Sequence, residues 1–163
     1  TLVAVSGESG SARGDGHITT AELIVGDSSS NFGLQVFLSF NISGIPTNAT
    51  ITEARIDFSN YTVYGNPFGG LGLLAVYESN YGVLDGGDFF PGVPSGPYFE
   101  WNAADLLGEV VADGDFKSLI QSRLGNSRIQ ARLQFPGTIT DGDGNADAVA
   151  FTSPKLIVSY TTP

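Results

Sequence analysis

Near the C-terminus, Asp141-Gly142-Asp143-Gly144-Asn145-Ala146-Asp147 sets oxygen-bearing side chains at every second residue. Small residues separate them and let the backbone curl, so one short loop can turn several hard oxygen donors toward a single point. Ca2+ takes about six to eight oxygens in a flexible shell and suits such a set. An EF-hand loop counted from Asp141 would need Gly at its sixth place and Glu at its twelfth. Those places hold Ala146 and Thr152. The expectation is a truncated acidic loop in which Asp141, Asp143, Asn145 and Asp147 bind one Ca2+, with backbone carbonyls and water completing the shell. The apolar run Ala148-Val149-Ala150-Phe151 follows directly. A solvated Asp/Gly/Asn turn between two strands has the same composition and is the alternative.

Aromatic side chains offer a second kind of chemistry. Tyr77, Tyr81, Phe89, Phe90, Tyr98, Phe99 and Trp101 gather in the middle of the chain. Exposed Tyr or Trp rings present flat apolar faces with polar edges and suit stacking on sugars. Tyr81, Tyr98 and Trp101 are the carbohydrate-contact candidates, against core packing as the alternative. Asn41-Ile42-Ser43, Asn48-Ala49-Thr50 and Asn60-Tyr61-Thr62 are acceptor patterns for N-glycosylation at Asn41, Asn48 and Asn60. Chance clustering in a Ser/Thr/Asn-rich chain produces the same pattern. Arg13-Gly14-Asp15 matches an integrin-recognition tripeptide, a match that any Gly-rich loop supplies readily.

Catalysis has little to build on. His17 is the only histidine and there is no cysteine, so a Cys–His pair and a His-rich zinc site are excluded. His17 reads as a surface residue in a loop. The 17 acidic residues leave a carboxylate pair formally open, but no spacing nominates one. The chain reads as non-catalytic.

Net charge is −10, a surface that repels nucleic-acid phosphates and anionic lipid. No apolar run reaches the roughly 20 residues of a membrane span. The sequence begins at Thr1 without Met, the pattern of a mature form after signal-peptide removal, and the expected place is extracellular or at the cell surface. At 163 residues the chain fits one domain with a real core.

The elements that must position these residues are strands. Leu34, Val36, Leu38 and Phe40 alternate with Gln35, Phe37, Ser39 and Asn41. Ala54, Ile56 and Phe58 alternate with Glu53, Arg55 and Asp57. Ile129, Ala131, Leu133 and Phe135 form one face, with Arg128, Gln130, Arg132 and Gln134 on the other. That pattern predicts half-buried antiparallel strands, wet on the second face. Ile18–Val25, Leu71–Tyr77, Pro97–Trp101 and Leu156–Tyr160 are further strand-like runs. One helix is expected where Phe116, Leu119, Ile120 and Arg123 follow helical spacing, begun near Asp113 and stopped at Gly125-Asn126. The fold class is therefore all-β, an antiparallel β-sandwich of jelly-roll type with one short helix.

The run Phe37-Leu38-Ser39-Phe40-Asn41-Ile42-Ser43-Gly44-Ile45-Pro46-Thr47-Asn48-Ala49-Thr50-Ile51-Thr52-Glu53-Ala54-Arg55-Ile56 resembles the opening of the DNRLRE-like family. Arg132-Leu133-Gln134-Phe135 through Asp141–Asp147 to Leu156-Ile157-Val158-Ser159-Tyr160 is similar to that family's closing strands. The resemblance implies an extracellular jelly-roll module, often attached to polysaccharide-active enzymes or cell-surface proteins, with some members binding sugars.

Finally, Leu2, Val3, Ala4 and Val5 form an apolar, β-prone N-terminal strand, and Ser6–Ser11 reads as a turn-rich hinge. Residues 1–12 are thus expected as a strand and flexible hinge, and 13–163 as the sandwich domain. The strand either folds back or is exchanged with a neighbouring subunit, building a homopolymer. Two functions follow as expectations: a self-assembling filament or surface subunit stabilised by Ca2+, or a module binding an extracellular polysaccharide.

Overall fold

The computed structural model describes all residues from Thr1 to Pro163. In chain order the elements are β1 (Leu2–Val3), β2 (Gly10–Arg13), β3 (Ile18–Thr19), β4 (Leu23–Asp27), β5 (Gly33–Asn41), β6 (Thr50–Asp57) and β7 (Tyr61–Tyr64). There follow α1 (Pro67–Gly70), β8 (Leu74–Glu78), β9 (Phe99–Trp101), α2 (Gly114–Ser122), β10 (Arg128–Gln134), β11 (Asp147–Phe151) and β12 (Lys155–Thr161). A three-stranded sheet runs β1-β12-β6. A nine-stranded sheet runs β7-β11-β4-β5-β10-β8-β9, with β2 also pairing β5 and β3 paired to β2. Every paired strand is antiparallel. The fold is an all-β sandwich with a short helix.

The alternating apolar positions make the core. Val36, Leu38, Phe40, Ala54, Ile56, Ile129, Ala131 and Leu133 are buried in one cluster between the sheets, joined by Val25, Val149, Leu156 and Trp101. Each strand places successive side chains on opposite faces, so a period of two collects these residues on the inner side. Helix α2 closes one flank against β6, with Phe116, Leu119 and Ile120 buried. The Asp113 side chain accepts from the Phe116 backbone N–H at 2.6 Å and caps its start. Gly125, at φ 95°, turns the chain out of it. The Gln121 side-chain amide accepts from Ile51 N and donates to Ala49 O, satisfying backbone at the β6 edge.

The outer face of the large sheet departs from the expected wet surface. Gln35, Phe37, Ser39, Gln130 and Gln134 are all buried. The segment between β8 and β9 lies over them, and the glutamines bond to its backbone. Gln130 exchanges two hydrogen bonds with Gly82, Gln35 two with Phe90, and Gln134 donates to Gly92 O. A side-chain amide presents one donor and one acceptor much as a peptide does, so it can stand in for a neighbouring strand.

The N-terminal region is more structured than a hinge reading allows. Leu2 pairs with Leu156 and Val3 with Lys155 of the same chain. Gly10–Arg13 is a strand within the large sheet, paired to β5 from Phe37 to Leu34. The expected boundary after residue 12 therefore falls inside β2. The turn is confined to Gly7-Glu8, between the bridged residues Ser6 and Ser9, with Gly7 at φ 83°.

Candidate metal centre

Strand β4 ends at Asp27, and β11 begins at Asp147. The two residues are directly paired across the strands. Opposed residues on antiparallel strands have Cβ atoms about 5 Å apart on one face. Both side chains are buried, with Asp27 fully enclosed and Asp147 5% exposed. Two buried carboxylates thus face each other at the end of the sheet.

The loop from Thr140 to Ala146 folds over this pair. Asp27 Oδ2 accepts from Thr140 Oγ1 at 2.5 Å and from Asp141 N at 3.1 Å, tying the head of the loop to the strand beneath it. Asp141 and Asp143 each then accept from the backbone two residues on. Asp141 Oδ1 accepts from Asp143 N at 3.2 Å, and Asp143 Oδ1 from Asn145 N at 2.7 Å. These local turns curl the loop so that one carboxylate oxygen from each of Asp141, Asp143 and Asp147 lies within 4.8 Å of the other two. Oxygens bound to one Ca2+ at about 2.3–2.6 Å are at most about 5 Å apart, so the convergence fits that ion. The donors are all oxygen, which suits Ca2+, Mg2+ or Mn2+ over thiolate- or imidazole-seeking metals.

Asp147 is also held from a third direction, because its Oδ1 accepts from the backbone N–H of Asn66 at the start of α1. Gly65 makes room for that approach. It sits at φ 62°, and a Cβ there would collide with Asp147 Oδ1 and Ala146 O.

Asn145 Nδ2 donates to Asp143 Oδ2 at 2.8 Å and braces that carboxylate, a bond that leaves Asn145 Oδ1 as its own oxygen donor. The same side-chain bond, with the backbone bond of Asn145, holds the Asp143 carboxyl below the usual carboxylate range. Asp27, beside the three converging carboxylates and not one of them, carries no signal in the sequence. Its Oδ1 is buried and has no hydrogen-bond partner. None of the chain's ion pairs reaches the site: Arg13 holds Asp15, Arg55 Glu53, Arg123 Glu78 and Arg128 Glu8.

The three sugar-contact candidates are not brought together. Trp101 is 9% exposed and belongs to the main core, edge-on to Phe58 and stacked on Phe99, so its faces are covered by protein. Tyr98 packs on Phe116 against the same core. Tyr81 lies with Phe37 in the separate cluster on the sheet's other side, its hydroxyl donating to Glu8 O at 3.0 Å. Its burial pushes the phenol far above its ordinary range. Phe99 and Trp101, two residues apart on β9, share the face that points inward.

Asn41, Asn48 and Asn60 are all exposed, at or beside strand ends. His17 is exposed as well. Arg13 and Asp15 bind each other through two hydrogen bonds at 2.9 and 2.7 Å, so the tripeptide's charged ends are mutually occupied. Neither helix is long and apolar enough to cross a membrane. No protein-family model matches the sequence, and no curated protein is detectably similar to it.

Proposed function

We propose that this chain is a non-catalytic subunit of an extracellular or cell-surface assembly, a β-sandwich stabilised by Ca2+ and joined to its neighbours through the N-terminal strand. The convergence of Asp141, Asp143 and Asp147 carries the proposal. Like charges held this close repel, and a divalent ion among them turns that repulsion into attraction. The ion would pin the loop that leads into β11. Sugar binding through Tyr81, Tyr98 and Trp101 finds no support in their placement, since they share no exposed platform.

Melting of the chelator-treated protein with and without CaCl2 tests the metal. A ligand at about 1,000 times its Kd stabilises by roughly 4 kcal/mol, which for a domain of this size raises Tm by roughly 10 °C. Asp143→Ala should weaken the response while leaving the fold intact, because Asp143 is exposed. A Tm indifferent to millimolar CaCl2 in both proteins would reduce the loop to a turn. Negative-stain microscopy of the full chain tests assembly: polymers are expected, and dispersed monomers under all conditions would remove that half of the proposal.

A further inference from the structure

We infer that Asp27 is the inner carboxylate of the metal centre, so that one Ca2+ joins strand β4 to the loop ahead of β11 across more than a hundred residues of chain. The inference rests on the Ca2+ reading of the Asp141–Asp147 loop and adds to it a ligand that the loop does not contain.

Three observations converge on Asp27. Its carboxylate is fully buried, yet Oδ1 has no partner. Its other oxygen is gripped by Thr140 and Asp141, which fixes the carboxylate at the base of the loop that carries the remaining donors. It stands directly across from Asp147, itself buried and one of the converging acids. A buried carboxylate oxygen that no donor of the chain reaches is a vacant position for a cation. A cation satisfies that oxygen and also relieves the opposition between Asp27 and Asp147.

The geometry favours Ca2+ over Mg2+. The donors come from a strand end, a loop of small residues and a second strand end, and a site so assembled meets an irregular shell of about seven oxygens more readily than a strict octahedron. Asp27 and Asp147 would form the dry floor, with Asp141 and Asp143, both exposed, forming the wet rim.

The test is calorimetric titration of the chelator-treated full chain with CaCl2, paired with melting in chelator, for wild type, Asp27→Asn and Asp143→Ala. Asn keeps the shape of Asp and can still bond to Thr140 and Asp141. Asp27→Asn removes one buried charge but sets an Nδ2 donor where Oδ1 stood, so it should stay folded in chelator and melt close to the wild-type temperature, yet bind Ca2+ at least about 100-fold more weakly. Asp143→Ala, at the rim, should lose roughly tenfold. An Asp27→Asn protein that binds Ca2+ like wild type overturns the inference and leaves the Ca2+ reading standing. A wild type that binds no Ca2+ sinks both. Should Asp27→Asn fail to fold, the wild type decides: the Asp27 carboxyl carbon resonance should shift when CaCl2 is added, and an unmoved resonance overturns the assignment.

Discussion

The Glu8 carboxylate is the most heavily committed charged group near the N-terminus. It accepts from Arg128 Nε and Nη2 at 2.8 and 2.9 Å and from Ser39 Oγ at 2.7 Å. Chiefly the Arg128 bond, then that of Ser39, holds its pKa at about 2 against an ordinary 4.5. The folded pKa is depressed, so the linked stability is fully present above about 4.5 and is lost as pH falls toward about 2. The pair is partly exposed and screened by salt, so the effect is modest. Glu8→Gln should flatten the decline of Tm between pH 4.5 and 2 relative to wild type, most visibly at low ionic strength; parallel curves would show the pair to be inert. Asp27 illustrates the opposite limit of what one residue discloses. Val25-Gly26-Asp27 reads as an ordinary strand end, and its meaning depends on Asp141, Asp147 and Thr140, which are distant in sequence. The loop acids were legible because their spacing is local, whereas Asp27 was not because its partners are supplied by sheet pairing.

At the scale of elements, alternation predicted the inner faces of β5, β6 and β10 correctly, because inward positions share one environment along a strand. The outer face of β5 and β10 was misread for a related reason. Polar residues at every second position signal water or a hydrogen-bonding cover, and composition alone does not distinguish them. Here the cover is the segment between β8 and β9, held by Gln35, Gln130 and Gln134. Arg132 belongs to the same layer, its guanidinium 4.7 Å from the centre of the Phe90 ring. Gln130→Leu preserves size and apolar contact but leaves the N–H and C=O of Gly82 without their partner. Gly82 is exposed and water can take up its freed groups, so the loss is the net worth of two hydrogen bonds, about 1–3 kcal/mol in all. Amide exchange should quicken across Tyr81–Pro97 while the β5 and β10 amides keep their protection. If exchange in that segment is unchanged, the glutamine bonds are not what holds it.

For the whole molecule, the issue is how the N-terminal strand is used. Within one chain β1 covers only Lys155 and Leu156 of β12, continuing as Ala4 N to Pro154 O and Val5 N to Ser39 O. From Ile157 to Thr161, β12 is paired to β6 on one side and to no strand on the other. A cleft of about 200 Å³ lies beside this open edge, lined by Thr1, Leu2, Gly44, Ile45, Val158 and Tyr160. Open edges template the addition of further strands. The segment that moves in an exchange would end before Glu8, which Arg128 and Ser39 fix to the sandwich, and Gly7 supplies the pivot. An exchanged strand makes in a neighbour the contacts it makes here, so the gain comes from closing the edge more fully, and a head-to-tail contact of this kind propagates. Deleting Thr1–Ser6 removes Leu2 and Ala4, both only partly buried at the core margin, a loss of at most about 3 kcal/mol of burial that a domain with this core should survive. The truncated chain should keep its β-sheet circular dichroism and a cooperative melt while forming no polymers. Polymers of unchanged form and yield from the truncated chain would rule out exchange and leave β1 as the closing strand of its own small sheet.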